Sequence, residues 1–516
     1  MHKLQETLSN RKKAFILFVV MIGIFLSSLE STIVGTAMPQ IIKSLNGFEL
    51  YSWPFTAYML TSTVFVPIFG RISDVYGRKS VQLTGLSIFL IASVLCSISM
   101  NMLQLIIFRA IQGVGGGILI ANSTAITGDL FTPRERGKYQ GFIFASMGAA
   151  TICGPLLGGV ISDNLSWEWI FLINVPISLA AILIIILTIP EFSSIESERA
   201  IDYKGGAALI TTLTPLFFAL TWIGSNFNEY KIYIIICLVV SSISFILFWH
   251  IEKRTVVPII PFGVLENKIY FLSCFSSSLN NAVAYGVGIF IPFYIQVIMG
   301  LDALSTGLTM INFLLVLVFA GILSGIVISK TGKYKGLLIF SNLFTVAGLA
   351  MLYLSNKNAT IFQINLFVAI LAFGLGSSIP VFNITSQNAL PDSCLGVSTS
   401  VLQFFKNMGA TIGTAILGFV MLFTLNTGFN DNVVLRGISD DTKNLIIKKL
   451  ITKDTSTDIE SIIQYSVGEF DMNYIRSILK ASVNNIFLVS LILSVAALVI
   501  VLFFDEIPLR DKKTSS

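Results

Sequence analysis

Charge is scarce in this sequence. Only 12% of its 516 residues are Asp, Glu, Lys or Arg, whereas 54% are hydrophobic and the mean hydropathy is +0.83. A soluble domain carries about twice that charged fraction, so a water-soluble enzyme is excluded. Histidine is nearly missing: His2 and His250 have no metal-ligand spacing, which leaves no metal site and no His-based acyl transfer to expect. Five cysteines, an odd number spread over apolar runs and loops, imply no disulfide framework. The phosphate-cradling pattern G-x-x-x-x-G-K-[ST] is absent, since Gly113–Gly117 runs into Ile118, so no ATP-driven step and no cofactor are anticipated. Ten-residue alternating segments are also lacking, which argues against an outer-membrane barrel. The net charge of +5 is explained by basic residues crowding one membrane face, and no nucleic-acid partner is expected.

What fills the chain is apolar sequence, about 280 residues of it, enough for on the order of 14 helices of ~20 residues across a hydrocarbon core ~30 Å thick. Breaks at charged and turn-rich clusters predict spans near 14–37, 51–69, 80–99, 102–125, 138–161, 169–189, 205–223, 231–250, 269–298, 305–328, 336–354, 359–380, 397–424 and 484–505. The first run follows Arg11, Lys12 and Lys13 and lacks a small-residue cleavage pattern, so it reads as a retained span rather than a signal peptide. With the N-terminus inside, inner tails and loops hold 21 Lys or Arg, while the short outer loops hold Lys43, Lys231 and Lys357. That asymmetry places both termini in the cytoplasm. Segment 425–483 mixes seven basic with eight acidic residues and reads as a long extracellular loop with short amphipathic helices.

Three charges remain deep inside spans: Glu30, Arg109 and Lys406. Each costs ~2.5–3.5 kcal/mol at a helix centre on insertion scales, so each should face protein or water, and each is a functional candidate. Glu30 stands 16 residues into the first span, or ~24 Å; Arg109 enters the fourth span from the other side, ~10 Å down, so their depths match. Gln112 and Gly116 share the helical face of Arg109. A repeat also emerges. Gly70 to Lys79 and Gly325 to Lys335 each pair two glycines seven apart with basic residues, offset by 255 positions, about half the chain. The pattern suits tight turns between helices and implies two related six-helix halves, with a substrate site near the midplane between them. Ordinary turn punctuation with inside-positive charge is the plainer account of the same loops.

Four stretches decide between these accounts: Gly70 to Lys79; Leu105 to Gly117 with Arg109, Gln112, Gly113 and Gly115; Gly154-Pro155-Leu156-Leu157-Gly158-Gly159; and Leu29-Glu30-Ser31-Thr32-Ile33-Val34. Together with Trp53 and Tyr58, Pro133 to Gly137, Trp167 to Pro176, and Gln403 to Gly413, they resemble the signatures of the major facilitator superfamily, and within it the 14-span drug:proton antiporters of the QacA/EmrB type. Three positions depart from the family pattern: Glu30 where Asp is usual, Ala150 where Gly opens the span 5 motif, and Glu168 where Arg is common.

The resemblance implies an all-α polytopic membrane protein with the major facilitator fold: fourteen transmembrane helices, as an N-terminal half (1–190), a linker with helices 7 and 8 (191–265) and a C-terminal half (266–516). It implies a monomer in the cytoplasmic membrane that exports amphipathic, drug-like molecules in exchange for protons. Burial favours the neutral form of an acid and a nearby guanidinium its charged form, so Glu30 with Arg109 fits a proton-coupling pair, or equally a permanent ion pair locking spans 1 and 4. Glu30, Gln112 and Lys406 are expected on the substrate cavity; interhelical hydrogen bonding is the plainer role for Gln112, and Lys406 suits either repelling cations or holding an anion. Gly70, Asp74, Gly77, Arg78 and Asp129 resemble a cytoplasmic latch in which Arg78 meets Asp129 and Asp74 meets a helix N-terminus of the second half. Gly154, Pro155, Gly158 and Gly159 resemble the antiporter motif, a kinked and closely packed element. An uptake symporter on the same fold and a non-transporting membrane sensor are the competing readings.

Overall fold

The computed structural model describes residues 9–45, 50, 53–131, 133–188, 202–223, 230–255, 258–260, 262–301, 303–355, 359–391, 394–431 and 472–506, and no strand occurs among them. Fourteen long helices follow one another: α1 (Asn10–Leu45), α2 (Trp53–Tyr76), α3 (Arg78–Ser97), α4 (Met102–Leu130), α5 (Pro133–Asn164), α6 in two pieces (Trp169–Leu172 and Asn174–Thr188), α7 (Tyr203–Ile223), α8 (Lys231–Arg254), α9 (Lys268–Phe293), α10 (Ala303–Thr331), α11 (Lys335–Leu354), α12 (Ile361–Ala389), α13 (Leu395–Asp431) and α14 (Met472–Leu502). Among the described residues, eleven helices are long and apolar enough to cross a membrane.

Local sequence sets the ends. Asn101 caps α4 by accepting from Gln104 N at 2.9 Å, and Thr360 with Gln363 forms a reciprocal capping box at the start of α12. Pro292 removes a backbone donor near the end of α9, and the chain responds with a π-helical turn over Tyr294–Ile298, inside what hydropathy reads as one span. Several helices outrun their apolar stretch. The first seven and last twelve residues of the expected loop 425–483 are helical, as the ends of α13 and α14; its middle, 432–471, with any amphipathic helices there, lies outside the described residues. Hydropathy marks contact with hydrocarbon, whereas the hydrogen-bonded ladder continues into polar flanks.

Packing repeats as the loops do. α1 packs on α5, α2 on α4 and α3 on α4; eight helices later, α9 packs on α13, α10 on α12 and α11 on α12. The two repeated loops turn on the same device: Gly77 (φ 92°) joins α2 to α3 and Gly332 (φ 69°) joins α10 to α11, and at positive φ a Cβ would be strained. The two groups meet along α5 with α10 and along α2 with α13. α8 shows the lipid-facing logic most plainly. Only Ile234, Ser241, Phe248 and Glu252 are buried, a single stripe at i, i+7, i+14 and i+18 that packs on α7, while most of the remaining surface between its ends is exposed apolar side chains. Such a helix is stable only where the surrounding solvent is hydrocarbon.

Candidate functional site

Five helices converge on Glu30. The side chain is fully buried in the middle of α1 and reaches two partners: Arg109 Nη1 of α4 donates to Oε1 at 2.6 Å, and Asn174 Nδ2 of α6 donates to Oε2 at 2.7 Å. Arg109, itself at 0% exposure, also donates from Nη1 to Gln112 Oε1 at 2.7 Å and from Nε to the Pro54 carbonyl of α2 at 3.3 Å. Its guanidinium lies 4.4 Å from the centroid of the Tyr58 ring and 5.9 Å from that of Phe171, both short enough for cation–π attraction. Gln112 in turn donates to Ser93 Oγ of α3 at 2.8 Å, and Tyr58 Oη donates to the Ser27 carbonyl at 2.9 Å. An acid and a base are thus neutralised by each other and hydrogen-bonded on every side, the condition for holding a full charge pair out of water.

The depths expected from the sequence bring Glu30 and Arg109 together as an ion pair. Asn174 shows in the sequence only as an amide opening the apolar run of α6, inside the Trp167–Pro176 stretch. Small residues let the helices come this close. A Cβ on Gly113 would lie 2.4 Å from the Tyr58 carbonyl oxygen, one on Gly117 2.4 Å from that of Ser62, and one on Gly154 2.0 Å from Thr32 Oγ1, two residues from Glu30. α5 runs as one helix through Gly154, Pro155, Gly158 and Gly159 and presses Gly154 on α1; the side chain of Pro155 and the surroundings of Gly159 lie outside the described set.

At the end of the bundle where α2 turns into α3, Arg78 gathers the latch. Its Nε donates to Asp129 Oδ2 at 2.8 Å, Nη2 pairs with Asp74 Oδ1 at 2.6 Å, and Nη1 hydrogen-bonds Ser73 Oγ. Asn122 fixes the turn from behind, donating to the Arg78 carbonyl at 2.8 Å. The expected contact of Asp74 with a helix N-terminus of the second group is not among the described contacts, and its Oδ2 is buried without a hydrogen bond. One turn of helix separates Asp74 from Arg78, so the local i, i+4 pair captures the carboxylate first.

Lys406 is placed differently. It is 5% exposed within α13, and its Nζ donates to Asn383 Oδ1 of α12 at 2.8 Å; no acid pairs with it among the described residues. A cavity of about 400 Å³ opens between α2, α7, α9 and α13, and none of Glu30, Gln112 and Lys406 lines it. No cluster of metal-ligating side chains occurs among the described residues.

Residues 20–414 match the family model described as Major Facilitator Superfamily. The chain is 30% identical over 528 aligned residues to "Multidrug transporter protein MdtP" of Bacillus subtilis (strain 168), covering 99% of this chain and 96% of that one, and 31% identical over 492 to "Multidrug resistance protein 3" of the same organism, covering 95% of each. Among solved structures, the MFS proton:xylose symporter XylE superposes with a TM-score of 0.61 at 12% identity, covering 97% of both chains, a likeness of fold. Paired glycine turns, recurring helix contacts, a polytopic apolar bundle and these matches agree: the chain belongs to the Major Facilitator Superfamily and is a multi-pass membrane transporter.

Proposed function

We propose that this transporter exports amphipathic, drug-like molecules across the cytoplasmic membrane in exchange for protons, with Glu30 as the acid that carries the proton. The observation that supports it most is the composition of the buried knot. A carboxylate at 0% exposure holds one oxygen to Arg109 and the other to the neutral amide of Asn174. Protonation of Glu30 removes its charge attraction for Arg109, and the guanidinium then depends mainly on Gln112, Pro54 and the Tyr58 ring, on α4 and α2. Its remaining ties to α1 and α6 are the Glu30 carbonyl at 3.4 Å and the Phe171 ring at 5.9 Å, so a proton taken up by α1 weakens the hold on α1 and α6. Loading and unloading one proton therefore biases how these helices sit, which is what coupling requires.

The direction of transport rests on the likeness to relatives named as multidrug transporters and on the Gly154-Pro155 segment pressed on α1 next to Glu30. In this reading residues 1–190 and 266–516 are the moving halves, 191–265 the linker, both termini are cytoplasmic, and a monomer suffices. In the same reading the Arg78 pairs with Asp74 and Asp129 hold the cytoplasmic turn of the first half together.

The test is flux in proteoliposomes under an imposed pH gradient, with ethidium as the transported dye. Wild type moves dye against proton entry. Glu30→Gln keeps the shape of the side chain and its oxygen on Arg109, with its amide donating to Asn174 Oδ1 once that amide turns over, and loses gradient-driven flux by at least 100-fold while remaining correctly assembled. Proton-driven export that survives the substitution ends the coupling role, and dye uptake with protons selects the symporter instead.

A further inference from the structure

The two seams between the helix groups are built differently. Along α5 and α10 the packing is close: a Cβ on Gly141 would come within 3.0 Å of Ile322 Cα, and one on Gly148 within 2.5 Å of Val318 Cγ2. Along α2 and α13 the lower part is tight, with Leu60, Val64 and Ile68 against Val397, Val401 and Leu402, but above it the helices part and leave the cavity of about 400 Å³. α7 forms its outer wall with Phe217 and Leu220. That helix is pinned at both ends. Trp53 of α2 meets Phe218 at 5.1 Å and Trp222 at 6.4 Å between ring centroids, and Glu252 of α8 accepts from Ile259 N and Ile260 N, seating Ile259 and Ile260 in the same apolar cluster as Leu209 and Leu213.

The lining of this chamber specifies its chemistry. Its walls include Phe55, Met59, Leu60, Ile289 and Ala415, and among the described residues no charged side chain takes part. The hydroxyls of Thr411 and Thr414 donate to their own helix, to the carbonyls of Asn407 and Thr411, so they offer only lone pairs inward. Tyr285 is the exception, a half-exposed phenol whose Oη donates to nothing among the described residues. A charged ligand group would find no counter-ion here, whereas an apolar body with one hydrogen-bond acceptor finds a fitted wall and a donor.

We propose that the chamber under α7 is a binding site for uncharged aromatic or alkyl molecules bearing a carbonyl or ether oxygen, distinct from the Glu30 knot. The volume is at the small end of the ~300–1,000 Å³ of ligand pockets, which suits a two-ring compound or the apolar half of an amphipath and excludes a whole phospholipid. As a station on the export route the site rests on the function proposed above; as a binding site it stands independently of it.

Benzophenone is the probe: an uncharged two-ring ketone that, once irradiated, inserts into neighbouring C–H bonds. The full-length protein in lipid nanodiscs is irradiated with rising doses, and the adducts are mapped by peptide mass spectrometry. Lining residues such as Met59, Leu220 and Ile289 are expected to label saturably, whereas the lipid-facing Leu315 and Phe319 of α10 label in proportion to dose and serve as the internal reference. Ala410→Phe and Ala415→Leu fill the chamber and lower seam labelling at least tenfold against that reference; Leu220→Ala enlarges it and raises labelling. Tyr285→Phe raises the half-saturating dose by about fivefold, the worth of one hydrogen bond. Seam labelling that climbs linearly with the lipid-facing adducts, or that both filling variants leave unchanged, overturns the proposal. Gradient-driven dye flux is read separately: its absence from wild type with saturable labelling intact defeats proton-coupled export and leaves the site standing.

Discussion

Two buried charges, one in each helix group, are treated in opposite ways. Glu30 in α1 is matched by a base and an amide, and its base by an amide, a carbonyl and an aromatic face, so that the whole knot is neutral. Lys406 in α13 is buried nearly as deeply and has, among the described residues, a single neutral hydrogen-bond partner, Asn383. The backbone repeats between the groups, in helix pairings and in the left-handed glycines 77 and 332, but the charge does not. A fold can be duplicated by apolar packing alone, whereas an ion pair needs specific residues on several helices at once. The compensated site is the one whose disruption is costly, and the uncompensated one is free to change.

That contrast can be broken by substitution, with assembly and unfolding of the purified protein in mixed micelles as the common measurement. Arg109→Met leaves Glu30 buried with its amide alone and lowers stability by about 3–5 kcal/mol, the cost of orphaning one member of a buried pair; a loss under 1 kcal/mol would show that water reaches the knot. Asn174→Ala removes one charge-assisted hydrogen bond and costs about 1.5–3 kcal/mol, without altering Arg109. The turn glycines sharpen the backbone half of the comparison. Gly77 has φ 92° and ψ 150°, a region essentially confined to glycine, so Gly77→Ala costs about 1–3 kcal/mol. Gly332→Ala, at φ 69° with open space around its Cβ, costs about 1–2 kcal/mol, and the reverse order of the two would mean that the latch side chains rather than the turn set the cost. Lowest in cost is Lys406→Met, similar in volume and without the lone charge, which leaves stability unchanged or higher. A clear loss there would reveal an acid that meets Lys406 in another conformation of the transport cycle.

The candidate site was legible in the sequence to the extent that lipid makes charge conspicuous. Glu30 and Arg109 stand out because little else in their spans is ionisable, and equal depth followed from counting residues along helices of known rise. Asn174 was not legible: one amide in an apolar run costs far less than a charge, and nothing along α6 says which helix it will face. For Asp74 the partner one turn away, Arg78, is the one the described residues bring to it. The chamber under α7 leaves no trace in the sequence, since Phe217, Leu220 and Ala415 read as ordinary lipid-facing or core residues.

By itself the sequence determined that the chain is a bundle of membrane helices, where most of them lie, that its two groups are related, and which two charges would be neighbours. Each of these follows from properties local in the chain: hydropathy over some twenty residues, glycine spacing and helical rise. Only the tertiary structure decided which of those charges is compensated, that α7 lies across one seam, and that the other seam is zipped shut. Those outcomes depend on which faces of separate helices meet, and that is set by the summed fit of many weak contacts which no single segment records.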